Sequence, residues 1–217
     1  YPEKEVEINY EPVNILYEDA FLIAAFKPPF LLVHDDGNSK DTLQARINGY
    51  LQLNGNKYPA QAIHRIDYET SGLVLFCKHP FFQAYCDKSM EEHHIKKDYI
   101  ALVQGHTNYK NKKIVSNIAR DRHNAKKMIV HPNGKESISI FNTLKNYKDY
   151  SLIQVTILTG RKHQIRVQCA SLNHPILNDS LYGGKRIDNT GLLLQSHHIQ
   201  FNDIDITCPQ EKRFIRK

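Results

Sequence analysis

The 217 residues hold few of the features that mark a secreted or membrane-bound chain. The four cysteines, Cys77, Cys86, Cys169 and Cys208, lack the short spacings of zinc sites or thioredoxin-like motifs. So few thiols in a chain of this length fill a core rather than staple a small scaffold, so a reducing, cytoplasmic setting is expected. No basic segment leads into an apolar one at the start, as a secretory signal requires. The longest apolar stretch, residues 21–33, is cut by Lys27-Pro28-Pro29 and cannot span a bilayer. There is no tandem repeat, low-complexity tract or long linker. Twelve histidines are present, but no HExxH pair and no facing His/Cys set, which argues against a metal site. The first residue is Tyr1 rather than Met, from which residues upstream are expected.

What is present is the composition of an ordinary globular protein, 41% hydrophobic and 24% charged, long enough for one sizeable core. A net charge of +6 and a pI near 9.0 favour a polyanionic partner. The cations are clustered at residues 96–97, 110–113, 120–127, 161–166 and in a tail at 212–217. Acids collect elsewhere, at 3–7 and 35–36. Any one cluster reads equally as a solvated loop; five of them point to nucleic acid.

Short strands are expected at 13–17 and 21–26 around a turn at Glu18-Asp19. A helix follows, with Leu43, Ile47, Tyr50 and Leu51 at helical spacing and Asp41 or Thr42 as its cap. Residues 73–76 read as a buried strand, and Pro80 opens a helix whose large apolar residues are Phe81, Tyr85 and Met90. Further strands are expected at 99–103, at 137–141 and 152–158 about a Lys148-Asp149 turn, and at 192–201. After Gly160, Ile165, Cys169 and Leu172 give a helix an apolar face. Strands mostly follow strands, so the fold class is α+β with a mixed, largely antiparallel sheet.

Two segments concentrate chemistry. His64-Arg65-Ile66-Asp67-Tyr68-Glu69-Thr70-Ser71-Gly72 packs a base, a cation, a carboxylate, hydroxyls and a glycine against an apolar strand, where site residues tend to lie. Read blandly, it is a polar turn capped by Asp67. Gly160-Arg161-Lys162-His163-Gln164-Ile165-Arg166 places cations at the start of a helix, against its dipole, so an anion is needed nearby, either a phosphate or a buried carboxylate. Tyr99, within residues 97–103, and residues 174–184, with His174-Pro175, Asp179 and Tyr182-Gly183-Gly184, say little alone.

In this order the four segments resemble the RluA-type RNA pseudouridine synthases, over roughly residues 13–201. His64 to Asp67 with Thr70 to Leu73 is similar to the family's catalytic motif, 97–103 to its tyrosine-bearing strand, and 160–167 to its arginine-bearing segment. Residues 174–183 are similar to the loop that follows, and 17–34 to the leading strand with its Lys-Pro turn. The chain departs from the family pattern at several positions. Phe26 and Phe30 stand where Asn and Gly are usual, Lys162 for threonine, Gln168 for histidine, Asn178 for glycine, and Gln195-Ser196 for His-Ala.

The resemblance implies a pseudouridine synthase catalytic fold: a bent sheet flanked by helices and loops, with a central active-site cleft. It implies one catalytic domain over residues 1–217, with 1–12 as an extension or linker and no S4-type RNA-binding domain. It implies an isomerase that turns uridine into pseudouridine in structured rRNA or tRNA, as a monomer, with no cofactor, metal or membrane. Asp67 would be the nucleophile on a flipped-out uridine, at the uracil ring or at ribose C1′. Arg166 would pair with its carboxylate, Tyr99 would stack on the base, and Arg65 would fill the vacated stack. An RNA-binding module of the same fold without activity, and a hydrolase using Asp67 as general base, are the alternatives.

Overall fold

A computed structural model describes residues 6–37 and 39–215. They fall into two units, Tyr1–Ile95 and Lys96–Lys217.

In the first unit, β1 (Asn14–Glu18) pairs antiparallel with β2 (Leu22–Lys27). The turn between them forms because the Asp19 side chain accepts the N–H groups of Phe21 and Leu22 at 2.8 and 2.7 Å. Glu18, expected in that turn, is the last strand residue. The two-residue β3 (Gln61–Ala62) and β2 both pair with β4 (Ser71–Cys77), whose seven residues are all buried.

Helix α1 (Leu43–Leu53) starts at Thr42, whose hydroxyl accepts the Ala45 N–H, a cap worth about 1 kcal/mol. Asp41, the other capping candidate, instead forks Arg46 at 2.8 Å on both oxygens. Residues 7–10 lie along this helix: Asn9 donates to the Ala45 carbonyl, and Asn48 donates to that of Glu7. Gly49 makes room for them, since a Cβ there would sit 2.1 Å from the Asn9 carbonyl oxygen.

Pro80 opens α2 (Pro80–Glu91) as expected, but the buried face is not the expected one. Phe81 is 89% exposed and Tyr85 45%, while Cys86 and Ser89 are buried. The helix meets β4 along the 86/89 line, which turns Phe81 and Tyr85 outward.

The second unit is an antiparallel meander. Its strands are β5 (Lys96–Gln104), β6 (Lys112–Arg120), β7 (Met128–Val130), β8 (Lys135–Asn146), β9 (Tyr150–Ile157), β10 (Leu194–Phe201) and β11 (Ile204–Thr207). They run in the spatial order β10-β5-β9-β8-β6-β7, with β11 on β10. The expected β8–β9 hairpin is present and longer than the apolar residues indicated, with Phe141 opposite Val155. Strands β6, β7 and β11 were not expected. Helix α3 (Gln164–Ser171) is shorter than the sequence pattern indicated. It begins at Gln164, so Arg161 and Lys162 precede it.

The basic tail at 212–217 is held to the rest of its unit as far as residue 215; residues 216–217, like acidic residues 3–5, lie outside the described residues. Phe214 is fully buried, and Arg213 donates to the carbonyls of Thr190 and Leu192 and pairs with Glu211. Gln195 holds the same segment, donating to Pro209 and accepting from Glu211. All four cysteines are buried thiols without disulfides. The architecture is α+β, and no described helix is long and apolar enough to cross a membrane.

Candidate active site

Asp67 sits half-buried on a loop of the first unit that is fixed from several sides. Ile63 donates to the Leu75 carbonyl, and Leu75 donates back to Nε2 of buried His64, so the start of the loop is tied to β4. Thr70 N–H closes the turn onto the Asp67 carbonyl at 3.1 Å. Gly72, at φ 111°, takes a backbone shape that a side chain would resist.

The strongest tie is Lys27. Its side chain is fully buried, and its ammonium donates to the carbonyls of Pro28 at 2.8 Å, Leu31 at 2.7 Å and Tyr68 at 3.1 Å. A buried charge is tolerated only when hydrogen-bonded, and these oxygens solvate it. One of them belongs to the residue after Asp67. Phe30 N–H donates to the same Tyr68 carbonyl at 2.8 Å. Phe30 itself lies at φ 64°, a left-handed shape that glycine takes without strain; its ring is turned edge-on to Tyr68 at 5.9 Å. Arg65 is exposed, and burial followed by the Arg65 charge holds His34 below the ordinary imidazole pKa.

Tyr99 and Arg166 belong to the second unit. Tyr99 is buried on β5, opposite Val155 of β9 and Ser196 of β10. Two residues before it on the same strand, Lys97 is also buried, and burial pushes its ammonium from 10.5 down to about 8. Lys97 is therefore no part of a basic surface, although the sequence groups it with exposed Lys96.

Arg166 is buried in α3 and forks Asp179: Nε donates to Oδ2 and Nη2 to Oδ1, each at 2.8 Å. The anion that a cation near a helix start calls for is thus present as a buried carboxylate. Asp179, in a segment that says little alone in the sequence, lies thirteen residues downstream and carries no local signal of this partnership. Before α3, His163 adopts φ 55°, a left-handed shape costing about 1 kcal/mol or more for a residue with a Cβ. Asn178, in place of the usual glycine, is also left-handed at φ 67°, and its side chain ties Asp188 and the Gly191 carbonyl. Buried Gln168, in place of the usual histidine, donates to Ser116 and the Ser137 carbonyl.

The cations at 120–127 lie on the hairpin that joins β6 to β7. Arg120, Arg122, His123 and His131 line a cleft of about 320 Å³, together with Asp121 and Ile129. Lys126 follows in the same turn, where its N–H donates to the Asn124 side chain. Lys110, Lys112 and Lys113 are also exposed.

The family model for RNA pseudouridylate synthase matches residues 22–171, which include Asp67, Tyr99 and Arg166. An uncharacterised RNA pseudouridine synthase of Bacillus subtilis is 37% identical over 81% of this chain and 59% of its own length. Ribosomal large subunit pseudouridine synthase D of Borreliella burgdorferi is 33% identical over 94% of this chain and 64% of its own. The chain thus spans about three fifths of the length of such relatives. The structure of human RNA pseudouridylate synthase domain containing 1 superposes with a TM-score of 0.78 at 22% identity, covering 93% of this chain and 85% of that one, which shows a shared fold.

Proposed function

This chain belongs to the RNA pseudouridylate synthase family, of the RluA type, and we propose that it isomerises uridine to pseudouridine in structured RNA, ribosomal or transfer, with Asp67 as nucleophile. The observation that carries the reading is the family match over residues 22–171, which takes in the Asp67, Tyr99 and Arg166 segments in the expected order.

The reaction breaks the N1–C1′ bond, turns the detached uracil and joins C5 to C1′; the C5 proton leaves and N1 regains one. Atoms and electrons balance without a redox partner or a nucleotide triphosphate. A carboxylate that attacks must be held in place, and the Lys27 ammonium anchors the carbonyl of the adjacent Tyr68. It must also stay ionised, and Arg166 is proposed as the cation that favours the charged form. A stacked base is out of reach of any carboxylate, so the uridine flips at a cost of a few kcal/mol. Tyr99 then stacks on the base, with about 1–3 kcal/mol available from such a contact. Exposed Arg65 enters the gap left in the RNA, and the β6–β7 hairpin supplies phosphate contacts.

Pseudouridine mapping of total RNA, with and without the protein, tests the reading, with Asp67→Asn as its control. The wild type should convert at least one uridine, and Asp67→Asn should bind the same RNA and convert none. Turnover by Asp67→Asn comparable to that of the wild type would exclude the nucleophile assignment. Cleaved rather than isomerised RNA would exclude the reaction class.

A further inference from the structure

Arg166 and the basic hairpin meet on one side chain, Tyr182. Its hydroxyl accepts the backbone N–H of Met128 at 2.9 Å and shares a hydrogen bond with Nδ1 of His163 at 2.8 Å. Met128 is the first residue of β7 and follows Lys127, the last cation of the turn. The Tyr182 ring centre lies 5.1 Å from the Arg166 guanidinium carbon and 5.5 Å from the Lys127 ammonium, so its π face holds both cations.

The backbone completes the link. The N–H groups of Tyr182 and Gly184 both donate to the carbonyl of Asp179, the residue whose carboxylate forks Arg166. The ring packs with Ile118 of β6 and Val167 of α3, and is buried. A phenylalanine would fill this space equally well. What only tyrosine adds is the hydroxyl, which ties the residue that begins the hairpin's second strand to the strained residue before the arginine's helix.

We infer that Tyr182 is a positioning residue that transmits the placement of the β6–β7 hairpin to the Arg166 guanidinium. An RNA phosphate seated on the hairpin and an arginine held ready for reaction are then parts of one arrangement. The inference rests on the proposed function, in which the hairpin meets RNA and Arg166 serves the isomerisation.

The test is single-turnover conversion at saturating RNA by Tyr182→Phe, Arg122→Ala and the double variant, with RNA affinity and urea unfolding measured alongside. Tyr182→Phe should slow conversion about tenfold or more, since small misplacements near a reacting centre carry such costs, while affinity stays within about threefold. Arg122→Ala should slow it in the wild-type background and add less than about twofold on top of Tyr182→Phe, because coupled sites are non-additive. A merely structural tyrosine would lower the unfolding midpoint and leave the rate of the folded enzyme unchanged; that result, or additive effects, overturns the inference. Should Tyr182→Phe fail to fold, His163→Gly, which the left-handed backbone accepts, removes the Nδ1 partner from the helix side and keeps the Met128 bond. It must then show the same loss of rate and the same non-additivity with Arg122→Ala, and additive effects there overturn the inference equally. If the wild type makes no pseudouridine in any RNA, the proposed function falls and this inference with it. If it does, and the variants match it, only the inference falls.

Discussion

Arg166 and Asp179 face each other edge to edge, two parallel N–H···O bonds of 2.8 Å joining a guanidinium and a carboxylate that are both buried. Such a pair adds little net stability over an apolar one, but removing one partner takes two charge-assisted hydrogen bonds from the buried other, at about 3–5 kcal/mol. Asp179→Ala is therefore expected to lower unfolding free energy by about that amount, measured by urea titration, and to depress conversion further than Asp179→Asn. A wild-type midpoint in Asp179→Ala would mean that solvent reaches the guanidinium after all.

Lys27 predicts a second loss of stability, this one centred on the loop of Asp67. Lys27→Met keeps the volume and leaves the carbonyls of Pro28, Leu31 and Tyr68 without their ammonium. Hydrogen bonds to a charged group contribute about 1.5–3 kcal/mol each, so a loss of about 3 kcal/mol or more is expected. Protease cleavage near residues 64–70 should quicken in step, and a cleavage rate equal to wild type would show that the loop is held by other means.

Lys97 sets a pH dependence. Its pKa is lowered by burial from 10.5 to about 8, so the folded chain releases this proton before the unfolded chain does. Below pH 8 both states hold the proton and the burial penalty, about 3 kcal/mol, is fully present. Between pH 8 and 10.5 only the unfolded state keeps it, so stability from this group rises with pH. Lys97→Met should therefore exceed wild-type stability most near neutrality, with the gap closing as pH rises through that window. A gap that is constant with pH excludes a lowered Lys97.

The hairpin cations predict how salt acts on RNA binding. Each phosphate contact contributes about 0.7–0.9 to the slope of log affinity against log salt. Arg122→Ala combined with Lys126→Ala should flatten that slope by about 1.5, measured by fluorescence anisotropy between about 50 and 200 mM salt. An unchanged slope would place the RNA elsewhere on the surface.

Features set by neighbours in the chain could be read from the sequence. The Thr42 cap reaches only to Ala45, and the β8–β9 hairpin closes over a tight turn, so pattern and turn chemistry sufficed. Strands β6 and β7 escaped because only Ile118 among their residues is buried; the lysines and arginine of β6 and the three-residue length of β7 hide the alternation that marks a strand. Phe81 and Tyr85 misled because hydrophobicity says that a residue favours burial, not which helix face finds a partner. Lys27 was visible as an interruption in an apolar run and as part of a Lys-Pro turn, without its acceptors. That interruption was itself the signal, since a lysine among such neighbours must bring its own acceptors.

The same limit governed the site. Asp67 stands in a dense local motif, so the sequence could put it forward as a candidate along with Arg65. The partnership of Arg166 with Asp179 spans a loop, and the one between Tyr182 and Met128 spans 54 residues. No spacing rule connects them; only the folded chain does.

The burial of all four thiols makes this chain its own stopwatch. Burial pushes Cys86 up to about 12 and raises Cys169 and Cys208 as well, so an alkylating reagent finds little thiolate until the surrounding structure opens. Cys77 and Cys86 fall in residues 1–95, Cys169 and Cys208 in 96–217. Labelling followed by peptide mass analysis would time the breathing of each half separately, in the unaltered protein and without an introduced probe.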